Sequence, residues 1–285
     1  MPKLLLGLIG AGIQQSLTPA MHEAEARQQG LRLFYQLIDI DRHADGAAAL
    51  PMLVDAARTM GFAGFNVTYP CKQAVLPLLD ALSDEARAIG AVNTVVVDGR
   101  RLVGHNTDAS GWAFGLKRSL PDADLSRVVL LGAGGAGAAI AHAALRLGVS
   151  ELCIHDRDPA RAEQLAADLN AAYGTGRAVA QADVVTAVRG ATGLIHATPT
   201  GTDKLPGLPL PEHLVQPSLW LSEIVYFPLD TQLVRLARAR GCAISDGGGM
   251  AVGQAVGAFQ LFTGRTPDAA RMDAELRRLL LLRGA

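Results

Sequence analysis

The chain has 285 residues, 49% hydrophobic and 19% charged, with 26 Lys plus Arg against 27 Asp plus Glu. That is enough apolar residue for one large core or two ordinary ones, and it argues against disorder. The near-even charge balance offers no basic footprint, so no nucleic-acid partner is expected.

No apolar run approaches the roughly 18 residues of a membrane span. The run at 4–9 is too short for a signal-peptide core and ends at once in glycine, so it reads as a buried first strand. Cys71, Cys153 and Cys242 lie far apart and match neither a zinc pattern nor an even disulfide framework. They are read as reduced thiols of a cytoplasmic protein, with no metal and no membrane partner.

In chain order, a strand at 4–9 is followed by a polar loop and a helix opening near Pro19, a residue suited to a first helical turn. A strand at 34–40 and a helix over 47–60 come next, then strands at 65–68, 91–97 and 101–104. Asp98-Gly99 between the last two is a hairpin signal. A second series starts at 128–131 and runs through helix 135–147, strand 152–155, helix 159–171, strands 193–197 and 220–225, helix 231–240 and strand 243–245. Helices over 248–263 and 269–282 remain. Strand-length apolar runs alternating with helical patterns predict an α/β protein with mostly parallel strands.

Gly132-Ala133-Gly134-Gly135-Ala136-Gly137 follows a predicted strand and opens an alanine-rich helix. This is the context that gives G-x-G-x-x-G its meaning as a dinucleotide turn. Gly132 permits the tight turn, Gly134 lets the backbone approach a pyrophosphate at the helix N-terminus, and Gly137 allows close helix–strand packing. An acid is expected about 20 residues on to bind ribose hydroxyls, and Asp156 fits. Asp158 adds negative charge that would repel a 2′-phosphate, whereas Arg157 between them would attract one. Two acids against one base favour NAD over NADP.

Upstream, Ser16 and Thr18 flank the start of the first helix, where they either cap it or hold a carboxylate. Asn66 and Thr68 lie two apart, so on a strand they share a face. Lys72 starts the next helix against the preference of the helix dipole. Asn93 interrupts an apolar strand, and Asp108 is either the cap of the helix it precedes, a catalytic group, or both. Gln254 sits mid-helix on an apolar face, as a ligand contact or part of a buried network. A Lys and an Asp ahead of a nicotinamide-type site suggest proton handling beside a hydride transfer, in an oxidoreductase acting on an alcohol.

In this order the segments resemble the shikimate dehydrogenase family almost end to end. They are Ser16-Leu17-Thr18-Pro19-Ala20-Met21-His22, Asn66-Val67-Thr68 with Lys72, Gly90-Ala91-Val92-Asn93-Thr94, Asn106-Thr107-Asp108, the glycine turn, Ala197-Thr198-Pro199-Thr200-Gly201, Tyr226-Phe227-Pro228, and Gly247 with Gln254. The resemblance implies a substrate domain over 1–107, joined by about 248–285, and a Rossmann dinucleotide-binding domain over 108–247, with the C-terminal helix returning to the first domain. It implies Lys72 and Asp108 as the catalytic pair and Ser16 and Thr18 on the substrate carboxylate. Thr68, Asn93, Asp108 and Gln254 would bind ring hydroxyls with Asn66 in support, and Tyr226 would lie near the carboxylate. The glycine turn, Asp156, Arg157, Thr198, Pro199, Ile224 and Gly247 would hold the cofactor.

Several positions depart from the biosynthetic pattern of that family. Thr18 replaces a more usual serine, and Asp156-Arg157-Asp158 replaces an Asn-Arg-Thr type of turn. Glu223 stands where Asp is common, and Cys71 where an aromatic residue often precedes the lysine. The first two resemble the NAD-dependent quinate/shikimate dehydrogenase branch, so the expected function is oxidation of the C3 hydroxyl of shikimate or quinate with NAD. The alternatives are an NADP-dependent biosynthetic shikimate dehydrogenase, an aminoshikimate-type paralogue, and a non-catalytic dinucleotide sensor. The choice between quinate and shikimate is not legible, and the oligomeric state stays open, a homodimer among the possibilities.

Overall fold

A computed structural model describes residues 3–283. By internal contacts the chain divides into two compact units, one running to Thr107 and taking in Gln254–Leu282, the other spanning Asp108–Gly253.

The first unit carries β1 (Lys3–Gly10), α1 (Thr18–Gln28), β2 (Arg32–Asp39), α2 (Leu50–Thr59), β3 (Gly64–Val67), α3 (Cys71–Ala74), β4 (Ala81–Leu82), α4 (Asp84–Ile89), β5 (Thr94–Asp98) and β6 (Arg101–His105). Its sheet runs β2-β1-β3-β5-β6-β4. β2, β1 and β3 are parallel, while β5 is antiparallel to both β3 and β6, so this sheet is mixed. The hairpin at Asp98-Gly99 sets β6 against β5: Asp98 pairs with Arg101, and Gly99 turns with φ +61°.

One face of this sheet buries Ile9, Val54, Phe65, Val92, Val95 and Leu102 with α2. The other buries Leu6, Leu33 and Tyr35 against Phe259 and Phe262, far along the sequence. Each fully buried large apolar side chain contributes about 1.5–3 kcal/mol, which makes this return segment a structural part of the unit.

The second unit holds α5 (Asp108–Ser119), β7 (Arg127–Leu131), α6 (Gly135–Leu147), β8 (Glu151–His155), α7 (Pro159–Tyr173), β9 (Ala178–Ala180), α8 (Val184–Val188), β10 (Gly193–His196), β11 (Trp220–Glu223), α9 (Gln232–Ala239) and β12 (Ile244–Ser245). The sheet is wholly parallel in the order β12-β11-β10-β7-β8-β9. β8 and β9 build outward on one side of β7, and β10 to β12 on the other. This is the doubly wound arrangement, with its order reversing beside β7, where ligands bind outside the strand C-termini. α5 is fastened to β11 by Trp112, whose indole N–H donates to Ser222 at 2.9 Å.

α10 (Gly247–Thr263) and α11 (Ala269–Leu282) complete the chain, and the division between units falls within α10. No helix among the described residues is long and apolar enough to cross a membrane.

Candidate functional site

In the first sheet, the loops after β1 and β3 leave from neighbouring parallel strand ends, because those strands pair directly. β5 runs antiparallel, so its first residue, Thr94, lies opposite Asn66 of β3 and His105 at the end of β6. One edge of the sheet therefore gathers Ser16, Thr18, Asn66, Thr68, Lys72, Asn93 and Thr107. Gln254 belongs to the same unit, and Asp108 opens the other.

The polar residues of this edge form a connected buried network. Tyr35 donates its hydroxyl to Asn66 Oδ1 at 2.6 Å, and Asn66 Nδ2 donates to the Asn93 carbonyl and to Thr94 Oγ1. Asn93 Oδ1 accepts the Thr107 backbone N–H at 2.7 Å, and its Nδ2 donates to Thr107 Oγ1 at 3.0 Å. Asn66 thus spends its amide within the protein and acts by fixing the backbone of Asn93. β3 stops at Val67, so the strand alternation expected to align Asn66 with Thr68 does not extend to Thr68. The Thr68 methyl packs against Gly10, where a Cβ would meet it at 2.3 Å.

Ser16 Oγ accepts the Thr18 N–H at 3.3 Å, a local turn at the start of α1, and Thr18 is buried. Lys72 is half-buried in the four-residue α3, behind the fully buried Cys71, whose thiol is pushed up by desolvation. Asp108 is 5% exposed at the first turn of α5. Within the same unit, burial and then the Asp108 carboxylate push the Tyr226 hydroxyl above its ordinary value.

At the strand ends of the second unit, Gly132 has φ +103°, and a Cβ there would lie 2.7 Å from the Ala197 carbonyl. A Cβ at Gly137 would meet the Gly132 carbonyl at 1.9 Å, whereas nothing stands within 4 Å of one at Gly134. The first bond of α6 runs from Ala138 N–H to Gly134 O, so the amides of Gly135, Ala136 and Gly137 precede the helical ladder. Open space over Gly134 with unladdered amides beside it suits a pyrophosphate.

Asp156 follows β8 and accepts the Ala133 N–H at 2.7 Å and the Asp158 N–H at 2.9 Å. Asp158 caps α7 through the Ala160 N–H and pairs with Arg161 at 3.4 Å, so its charge is largely engaged in the helix start. Arg157 is exposed, and among the described residues no carboxylate pairs with it. Gly247 lies against the Ile224–Val225 backbone, where a Cβ would meet the Val225 carbonyl at 2.2 Å.

Residues 8–95 match the shikimate dehydrogenase substrate binding domain, and 247–277 the shikimate 5'-dehydrogenase C-terminal domain. Residues 127–199 match a domain described as NADP oxidoreductase coenzyme F420-dependent. The chain is 56% identical over 277 residues to a protein of Streptomyces avermitilis named shikimate dehydrogenase (NADP(+)), covering 96% of this chain and 95% of that one. The chain belongs to the shikimate dehydrogenase family. It is also 49% identical to a Corynebacterium efficiens protein named quinate/shikimate dehydrogenase (NAD(+)), covering 95% and 96% of the two chains. The structure of quinate dehydrogenase from Corynebacterium glutamicum in complex with NAD superposes with a TM-score of 0.89 at 44% identity, covering 97% and 99%.

Sequence reasoning about this family member did not find Tyr35, whose partner Asn66 is 31 positions away, nor His196, which ends β10. His196 Nδ1 lies 2.8 Å from Glu223 Oε1, with both side chains fully buried. A histidine closing an otherwise apolar strand was a visible signal, but its partner arrives only through the pairing of β10 with β11.

Proposed function

We propose that the chain is an NAD-dependent quinate/shikimate dehydrogenase that reversibly oxidises the C3 hydroxyl of its ring acid. The observation that carries this reading is the family's motif series, here joined to a carboxylate, Asp156, pinned beside the glycine turn. A bound nicotinamide dinucleotide supplies the hydride acceptor. The turn at Gly132–Gly137 seats its pyrophosphate, Asp156 receives the ribose hydroxyls, and Thr198, Pro199, Ile224 and Gly247 attend the nicotinamide end.

On the substrate, Ser16 and Thr18 hold the carboxylate with Tyr226 close to it, and Thr68, Asn93 and Gln254 hold ring hydroxyls. Asn66 supports them by fixing the Asn93 backbone. Lys72 takes the proton that leaves oxygen, and Asp108 orients the reacting hydroxyl; general acid–base help of this kind is worth about 10²–10⁴-fold in rate. Buried thiols at all three cysteines suit a reducing cytoplasmic setting.

A second reading keeps the chemistry and changes the cofactor to NADP. It is favoured by the exposed Arg157 and by the name of the Streptomyces avermitilis relative. Asp156 supports the first reading, since a 2′-phosphate would be set against its carboxylate.

Incubation with shikimate or quinate and NAD⁺ is expected to release reduced dinucleotide and 3-dehydro acid in equal amounts. Lys72→Ala is expected to lower kcat by about 10²–10⁴-fold while dinucleotide affinity stays within about twofold. No product from either acid with either dinucleotide would overturn the function, and equal loss of turnover and affinity would overturn the role of Lys72.

A further inference from the structure

β10 and β11 end side by side, with His196 opposite Glu223. Glu223 Oε1 accepts the backbone N–H groups of Ile224 at 2.9 Å and Val225 at 3.0 Å, and Oε2 accepts the Thr231 hydroxyl at 3.0 Å. Thr231 Oγ1 in turn accepts the Val234 N–H and so caps α9. Glu223 Oε1 already accepts two amide protons, and the tautomer with a proton on His196 Nδ1 gives it a third donor.

The other ring nitrogen, Nε2, lies 2.5 Å from Thr198 Oγ1, which also accepts the Thr200 N–H at 3.2 Å. Whichever of that pair donates, the Thr198 hydroxyl is held inward. Its methyl then faces the glycine turn: a Cβ at Gly132 would lie 3.1 Å from Thr198 Cγ2. One buried pair therefore ties together the segment after β10, the backbone after β11 that Gly247 packs on, and the start of α9.

We infer that His196 and Glu223 are a positioning pair for the dinucleotide, which turns the Thr198 hydroxyl inward and sets its methyl against the glycine turn. This rests on reading the 132–137 turn as the cofactor's seat. A histidine–carboxylate pair serving only stability would lower the melting temperature and leave ligand affinities alone. A pair that aims Thr198 changes dinucleotide affinity selectively, because small misplacements at such contacts are costly.

The test is a double-mutant cycle on His196→Leu and Thr198→Val, read by NADH fluorescence titration, by the KM of the ring acid and by melting temperature. His196→Leu is expected to weaken NADH binding about tenfold with the ring-acid KM within about twofold. His196→Gln, whose amide reaches toward the place of Nε2, is expected to recover most of that loss. The double variant is expected to bind no more weakly than the weaker single, since one contact is removed either way.

Additive losses, an unchanged NADH affinity in His196→Leu, or a ring-acid KM that rises in parallel with the loss of NADH affinity would overturn the inference. His196→Met replaces the leucine variant if that one does not fold. Gly134→Val separates the two readings. If it abolishes NADH binding while His196→Leu leaves binding intact, only the positioning pair falls; if it too leaves binding intact, the cofactor seat itself is wrong.

Discussion

At the scale of single residues, His22 shows how burial governs a charge. It is fully enclosed in α1 with ring centroids of Tyr35, Phe259 and Phe262 at 5.1, 5.9 and 6.2 Å. Neither ring nitrogen finds a hydrogen-bond partner among the described residues, and desolvation lowers its pKa from 6.5 to about 3. As pH falls below 6.5, the unfolded ring takes up a proton that the folded ring refuses until about 3. The unfolded state binds more protons in that window, so stability drops with acid by at most about 1.4 kcal/mol per pH unit. Urea unfolding is expected to show such a slope below about pH 6.5, to which burial of His105 and His142 also contributes, and to show a shallower one in His22→Leu; an unchanged slope would contradict the assignment. Asp156 makes a separate residue-scale claim. Asp156→Ser is expected to raise the ratio of kcat/KM for NADP⁺ over NAD⁺ by about tenfold or more, and a fixed ratio would remove Asp156 from cofactor choice.

At the scale of elements, α11 is held to α1 by Glu25, 1% exposed at its side chain, which accepts from Arg271 Nε at 2.9 Å and Nη2 at 2.7 Å. Burial alone would push the Glu25 carboxyl up, but Arg271, the Asp268 N–H and Gln29 outweigh it and hold it below its ordinary value. Its contribution is therefore present above the ordinary carboxylate range and lost as pH falls through its depressed folded value. Arg271→Ala is expected to lower the melting temperature by several degrees at neutral pH and by less in acid. Equal shifts at both pH values would show that the charge pair is not what docks α11.

The long elements were legible in sequence because their apolar period persists over whole strands and helices, as at β1, α6 and α11. The short ones, β4, α4, β9 and α8, fall below the span in which periodicity can be seen. α4 did carry local signals: Ser83 caps it through the Ala86 N–H, and Gly90 ends it at φ +69°. At the site, polar residues beside apolar runs, such as Asn93, were visible one by one. Their partners were not, because Tyr35–Asn66 and His196–Glu223 meet only after strands pair. Asn93 itself lies just ahead of β5 and not within the strand expected over 91–97, because its side chain and carbonyl are spent on Thr107 and Asn66.

At the scale of the molecule, two units with separate sheets and separate cores divide the chain near Thr107 and within α10. The parallel second sheet, with its order reversing beside β7, puts the glycine turn and Asp156 at neighbouring strand ends. The mixed first sheet gathers hydroxyl and amide side chains at one edge because β5 returns antiparallel to β3 after the 68–93 connection and the hairpin then brings β6 back beside it. Shikimate dehydrogenase family membership and this architecture together support an alcohol oxidation on a polyhydroxylated ring acid. The most direct test is an initial-rate grid of NAD⁺ and NADP⁺ against shikimate and quinate. Turnover with NAD⁺ on at least one acid, at a kcat/KM about tenfold or more above that with NADP⁺, is the expected result. Turnover confined to NADP⁺ and shikimate would contradict the cofactor assignment to Asp156, and silence in all four combinations from folded protein would contradict the proposed reaction itself.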